Sequence, residues 1–375
     1  MAVDLNYPLP IGTHREVAQH RLPLFPDYEL TPTRCKELGP SEYVAQINQL
    51  LRPKPSGGPE AIDLFAGCGG LALGFEAAGF TTHGFERDAD CCATYERNLA
   101  SPCTVMELTP QTLLPKVPVL IGGPPCQPFS VGGKQLGLRD SRDGFPIFIA
   151  AVAKLRPDIW LFENVRGLHY RNRWYLQEVL QSLASLGYVV EERLLNAVNY
   201  GVPQNRERLV VVGHKGGFMF PAPEPRRVTA GDAIRDFAST APLGSKFLTP
   251  SMDAYVARYE KASCCRRPRD LDLSRAARTL TCRHLAGATG DMQRVRLPDG
   301  RRRRLLLREA ARLQSFPDWV FFEGGQTSQF NQVGNAVAPL FAFHLAGSVM
   351  AYLNGERITG EEASSGCVTS GRGSH

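Results

Sequence analysis

The sequence has little with which to build a covalent or metal-stapled scaffold. Its ten cysteines, at positions 35, 68, 91, 92, 103, 126, 264, 265, 282 and 367, contain no C-x-x-C pair and no regular spacing. In a chain of 375 residues this argues against a disulfide framework and leaves a zinc site without support, so no metal is expected. The adjacent pairs Cys91-Cys92 and Cys264-Cys265 read as small apolar residues. No apolar run approaches the roughly 18–20 residues of a membrane-spanning helix. The polar, proline-dotted N-terminus lacks the pattern of a signal peptide, and no internal repeat is visible. The expectation is a cytoplasmic chain in a reducing setting, with no membrane partner.

What is present fits a globular protein: 43% hydrophobic and 21% charged residues, in a length that suits one large α/β domain and a smaller one. The formal charge of +6 suits a polyanionic partner without identifying one, because many enzymes of neutral substrates are as basic. Residues 1–59 are proline-rich and weakly periodic, and read as an N-terminal extension ending in the linker "RPKPSGGPE". From residue 60, the apolar runs "AIDLFAG", "HGFE", "VPVLIGG", "DIWLFENV", "YVVEERLLN" and "RLVVVGHK" alternate with helical stretches. That alternation predicts a doubly wound, mostly parallel sheet over 60–213, with its site at the carboxyl ends of the strands. After residue 213 the strand rhythm stops. Residues 214–280 carry twelve Lys/Arg against seven Asp/Glu, a net +5. A small domain over 214–325 is expected, then a segment 326–355 that returns to the large domain, and a disordered tail over 356–375. In "LLLREAARLQSF", Leu306, Ala310 and Leu313 share one helix face.

Five stretches could carry chemistry. In "DLFAGCGG" a strand runs into Gly67, Gly69 and Gly70, where the backbone can approach a ligand closely. The match to G-x-G-x-x-A, with Glu86 ending the next apolar run, keeps a nicotinamide enzyme as a fair rival at this point. In "GGPPCQPFS" two prolines and two glycines precede Cys126, framing it far more rigidly than a core cysteine needs. In "FENV" an apolar strand delivers Glu163 at its end, where a carboxyl can exchange a proton with a heteroaromatic ring or simply pair with a cation. In "VPQNRERLVVVG" Arg206 and Arg208 alternate onto one side of a strand entry, a pair able to grip a phosphate and a carbonyl. Finally, "QVGNAVAP" reads as a Gly-Asn turn opening an apolar helix.

Taken in order and spacing, these stretches resemble the DNA (cytosine-5) methyltransferases of the prokaryotic modification type. The resemblance rests on F-x-G-x-G-G, P-C-Q, E-N-V, Q-x-R-x-R, R-E-x-x-R-L-Q at 308–314 and the closing G-N-x-V. It covers about residues 60–213 and 304–345, and displaces the nicotinamide reading. It implies the S-adenosylmethionine-dependent methyltransferase fold with a target-recognition domain, and S-adenosyl-L-methionine as cofactor. Phe65 would pack on the adenine, Gly67, Gly69 and Gly70 would pass the methionine moiety, and Glu86 would hold the ribose. The family often has an aromatic residue where this chain has Arg87, so a guanidinium would replace the stacked ring. Glu107 stands where Asp is commoner, and Leu108 follows as an apolar contact. The resemblance also puts Cys68, Pro124, Asn335 and Ala336 around the cofactor.

For catalysis the resemblance implies that Cys126 adds to C6 of a flipped-out cytosine. Glu163 would bind N3 and the exocyclic amine, Arg208 would hold O2, and Arg206 would support nearby backbone or phosphate. "SVGGKQLGLRDSRDG" is similar to the family loop that closes over the base. The charge-rich stretch 214–280 falls at the target-recognition region, with Arg226, Arg227, Arg266, Arg267 and Arg269 as candidate readers. "RRRR" at 301–304 could contact phosphates or be a solvated turn. The implied partners are double-stranded DNA and a cognate restriction endonuclease acting on the same site, with the enzyme a nucleoid-associated monomer. The alternatives are a tRNA cytosine-5 methyltransferase of the same fold and a catalytically inert DNA-binding relative.

Overall fold

Runs of consecutive apolar residues, such as 119–121 and 159–162, suit strands covered on both faces. Seven strands make the central sheet: β1 (Glu60–Leu64), β2 (Thr81–Glu86), β3 (Cys103–Val105), β4 (Val119–Gly122), β5 (Ile159–Val165), β6 (Val189–Asn196) and, after the two-residue β7 (Gln204–Asn205), β8 (Glu207–His214). β7 pairs instead with β9 (Ala277–Arg278), and β10 (Arg294–Arg296) pairs with β11 (Arg302–Arg304). The computed structural model describes residues 41–54, 57–125, 143–262, 264, 270–286 and 293–355, all within one compact unit.

The sheet order is β3-β2-β1-β4-β5-β8-β6. β1 to β5 pair in parallel, and β8 runs antiparallel between β5 and β6. The expected doubly wound, mostly parallel sheet is therefore present. Strand order reverses between β1 and β4, where such sheets open a crevice at their carboxyl ends. β1 and β4 are in close contact there: a Cβ on Gly122 would lie 2.6 Å from the carbonyl oxygen of Leu64.

The helices are α1 (Glu42–Leu50), α2 (Gly70–Ala78), α3 (Ala89–Asn98), α4 (Phe145–Leu155), α5 (Arg166–Tyr170), α6 (Arg173–Ala184), α7 (Ala230–Ala238), α8 (Pro250–Ala262), α9 (Cys282–Ala286), α10 (Leu307–Leu313), α11 (Gln326–Asn335) and α12 (Pro339–Leu353). Strand alternation divides the core in two. Ala61, Val119, Ile121, Ile159, Leu161, Val210 and Val212 face α2, α12 and the small strands. Ile62, Leu64, Leu120, Trp160, Phe162, Leu209 and Val211 face α4 and α6.

Several elements depart from the sequence reading. Part of the expected N-terminal extension is α1, capped by Ser41 and burying Tyr43, Val44 and Ile47 against the core. The "QVGN" stretch ends α11 and does not itself open the next helix, because α12 begins only at Pro339. Gly334 is required there: a Cβ would lie 2.3 Å from the amide of Cys282 in α9. Three of the four consecutive arginines turn to carboxylates. Arg301 pairs with Asp299 at 2.7 Å, Arg302 with Asp253 at 3.1 Å and Asp270 at 3.0 Å, and Arg303 with Glu309 at 2.7 Å in full burial. The tail after 355 lies outside the described residues.

Candidate active site

The first βα turn fixes an open platform. β1 ends at Leu64, and Phe65 (φ 60°), Gly67 (φ 54°) and Gly69 (φ 82°) take left-handed backbone, a conformation natural to glycine and strained for phenylalanine. A Cβ on Gly67 would meet nothing within 4 Å, whereas one on Gly70 would lie 2.3 Å from the carbonyl oxygen of Val337. The turn is thus open on one side and backed on the other by residues 334–337. The Glu86 carboxylate, at the end of β2, accepts from the amides of Gly67 at 3.0 Å, Arg87 at 2.9 Å and Asp88 at 3.0 Å. Met106 N donates to the Glu86 carbonyl at 2.8 Å, which brings exposed Glu107 and buried Leu108 beside the same strand end. Arg87 is exposed, as is Asn335 at the close of α11.

Two groups under this platform are uncharged near neutral pH. Burial raises the Asp63 carboxyl to about 8; the Glu86 charge adds to the shift and the Ala72 amide opposes it. Burial also pushes the Cys68 thiol up to about 12, and its Sγ donates to the Gln332 carbonyl at 3.7 Å. Cys68 is therefore a packing thiol and not a nucleophile.

The reactive side of the crevice is built from β4, β5 and β8. β4 ends in Gly123, Pro124 and Pro125; Cys126 and the glycine-rich segment through 142 lie outside the described residues. Glu163, 9% exposed, forms an ion pair of 2.6 Å with Arg208 Nε. Antiparallel register puts Val165 opposite Arg208, so β8 delivers its arginine to the carboxyl end of β5. Burial lowers the Arg208 pKa, and the Glu163 charge opposes that shift.

Arg206 does different work. It is 2% exposed and donates to the carbonyls of Leu280 at 2.7 Å, Gly334 at 3.1 Å and Ala336 at 2.9 Å. These contacts tie the segment behind the glycine turn to the start of β8. Of the candidate readers, Arg226 lies 3.7 Å from Glu42 of α1, Arg227 is exposed, and Arg266, Arg267 and Arg269 lie outside the described residues.

Asp63, Gly144, Asn164 and Gln332 were not singled out from the sequence. A polar residue directly after Glu163 in an apolar strand was the available signal for Asn164. Gln332 had none, because its partners Thr94 Oγ1 (2.7 Å) and the Glu323 carbonyl (2.9 Å) come from other segments.

A seven-stranded sheet with an antiparallel strand next to its edge, carrying a glycine turn and an acidic strand end at its switch point, defines an α/β methyltransferase. The chain belongs to the C-5 cytosine-specific DNA methylases, whose family profile matches residues 60–351. It is similar to Type II methyltransferase M.AplI of Arthrospira platensis, 60% identical over 291 residues that cover 77% of this chain and 84% of that protein. It is also similar to Type II methyltransferase M.XorII of Xanthomonas oryzae pv. oryzae, 34% identical over 79% of this chain and 85% of that one. A solved structure of a DNMT2 mutant from Spodoptera frugiperda shares the fold, with a TM-score of 0.61 and 18% identity over 78% of this chain and all of that one. The protein is thus a cytosine-5 DNA methyltransferase of the kind found in Type II restriction-modification systems. Methyltransferases of this family use S-adenosylmethionine, and the open turn at Gly67 with the Glu86 carboxylate beside it is a cradle that fits a nucleoside.

Proposed function

We propose that the enzyme methylates C5 of a cytosine flipped out of a specific duplex DNA sequence, through a covalent bond between Cys126 Sγ and C6. The observation that carries this reading is the buried Glu163–Arg208 pair, 2.6 Å apart, at the mouth of the crevice into which Pro124-Pro125 leads the chain toward Cys126. A carboxyl and a guanidinium held side by side match the N3 edge and the O2 of one pyrimidine ring. Addition of the thiolate to C6 moves electron density toward C5 and N3, and Glu163 supplies the proton at N3. Arg208 hydrogen-bonds O2, and Arg206 keeps the Gly334–Ala336 backbone behind the site. S-adenosylmethionine supplies the electrophilic methyl group for C5. Loss of the C5 proton to water then restores the double bond and expels the Cys126 thiolate, and N3 returns its proton to Glu163. A stacked base cannot meet these groups, so the cytosine must leave the helix.

Phe65, Gly67, Cys68, Gly69 and Gly70 would form the cofactor's floor. Glu86 and Arg87 would face the ribose and adenine, Glu107 and Leu108 the adenine edge, and Pro124, Asn335 and Ala336 the methionine side. Residues within 214–280 would read the DNA sequence, with 281–304 as the next candidate. The 60% identity to a Type II enzyme favours DNA over tRNA, and the intact Glu163–Arg208 pair favours catalysis over an inert DNA-binding role. A monomer acting in the cytoplasm at the nucleoid, opposite an endonuclease of the same specificity, completes the reading.

The test uses duplex DNA with 5-fluorocytosine in place of cytosine. Fluorine cannot leave C5 as a cation, so wild-type enzyme with cofactor should form a stable adduct that mass spectrometry maps to Cys126. Cys126→Ser should form none and lose methyl transfer while still binding DNA, because a hydroxyl is far less ionised than a thiol. An adduct on another cysteine, or turnover by the serine variant at a few per cent of wild type or more, contradicts the mechanism.

A further inference from the structure

Pro124 and Pro125 have no amide hydrogen, so their backbone can be anchored only through its carbonyls. Both carbonyls are engaged. Asn164 Nδ2 donates to the Pro124 oxygen at 2.8 Å, and the Gly144 amide donates to the Pro125 oxygen at 2.9 Å. Asn164 is 5% exposed, and its Oδ1 accepts from the Val165 amide at 2.9 Å. The two contacts fix which way the side-chain amide faces. Gly144 is in close contact as well: a Cβ there would lie 2.5 Å from Pro125 Cδ and 3.0 Å from Phe65 Cζ.

We infer that Asn164 is a positioning residue for the reaction: it fastens the Pro124 carbonyl to the end of β5, and so sets the distance between Cys126 and the cytosine held by Glu163. The inference rests on the covalent reading above. Consecutive strand residues point to opposite sides. Glu163 thus meets Arg208 and the base while Asn164 reaches across to the neighbouring β4 exit. One strand end sets both the ring and the chain that carries its nucleophile. Addition to a ring carbon tolerates little positional error, and a misplacement of about 1 Å can cost about 10²-fold.

Two variants test this. Asn164→Ala should lower the single-turnover methylation rate by about 10- to 100-fold, while dissociation constants for cofactor and DNA stay within about threefold. Asn164→Asp adds a titratable signature. An ionised Asp would place a carboxylate oxygen against the Pro124 carbonyl, whereas a protonated one would donate to it, and burial favours the protonated form. The variant's rate relative to wild type should therefore recover as the pH is lowered from about 8 to about 5.5. The other titratable groups here, Glu163, Arg208, Asp143 and the Cys126 thiol, are common to both proteins, and Asn164→Ala, which adds no charge, should show a pH-independent ratio to wild type. A rate for Asn164→Ala within about twofold of wild type, or a pH-independent ratio for Asn164→Asp, overturns the inference. Adduct formation with 5-fluorocytosine DNA separates the two proposals. No adduct in the wild type defeats the covalent reading and this inference with it. Equal adduct rates in wild type and Asn164→Ala defeat this inference alone.

Discussion

Glu163 has to serve two partners. In the structure its carboxylate holds Arg208 at 2.6 Å, and in the proposed reaction it must also exchange a proton with the base. Glu163→Gln keeps the shape and removes the second ability. It also removes the charge that opposes the burial shift of Arg208. We expect the single-turnover rate to fall by about 10²–10⁴-fold, with cofactor affinity nearly unchanged, as checked by rapid quench and by cofactor titration. A fall of less than about tenfold removes Glu163 from the catalytic role. The position of this residue was legible because an apolar run that ends in a lone acid marks a strand end. The role of Arg206 was only half legible. Alternation placed it beside Arg208, but its acceptors at 280, 334 and 336 lie more than 70 residues away in sequence, and no local pattern announces them.

At the scale of elements, the β11–α10 junction is held by a charge pair with no access to water. Arg303 binds both carboxylate oxygens of Glu309 and the carbonyls of Phe237 and Thr240, so β11, α10 and the end of α7 share one guanidinium. Removing one partner leaves a buried charge uncompensated, a cost of about 3–5 kcal/mol. Arg303→Met should therefore lower the thermal midpoint sharply, and Arg303→Met with Glu309→Gln should recover part of the loss; calorimetry of the single and double variants measures both. A four-arginine run gives no sign of this, because the carboxylates that claim it are spread over positions 253 to 309. Helix α1 was hidden for a related reason. It carries Tyr43, Val44, Ile47 and Leu50 at helical spacing, but at nine residues it is too short to stand out after the proline-rich segment, and a helix of that length depends on tertiary partners.

At the scale of the whole molecule, the sheet was legible and the division of the basic region was not. Six of the seven sheet strands follow apolar runs visible in the sequence; β3, with three residues, is too short to show one. Residues 215–224, which the charge count grouped with the recognition region, pack on the catalytic side instead. Lys215 N donates to Tyr352 Oη at 3.0 Å, the Arg193 guanidinium sits over the Phe220 ring at 4.7 Å, and Glu224 N donates to the Asn199 carbonyl at 2.7 Å. An exchange of specificity should therefore leave these residues in place. Replacing 239–304 with the matching stretch of a relative of different specificity should transfer the methylated sequence and retain activity. Bisulfite sequencing of DNA from cells expressing the chimera reads the result, and an unchanged target sequence puts recognition elsewhere.

The seat of α12 has a consequence for how the enzyme is made. α2 follows the glycine turn directly, yet a Cβ on its Gly74 would lie 2.4 Å from the Phe343 amide: a helix near the start of the sheet is fitted to α12, about 270 residues later. At about 5–20 residues per second, a ribosome needs roughly a quarter of a minute to a minute to travel from one to the other. Throughout that interval the nascent chain carries α2 with its apolar face uncovered and the glycine turn without its backing strip. Until α12 has been made and has docked, the glycine turn lacks its backing, so activity waits for that step.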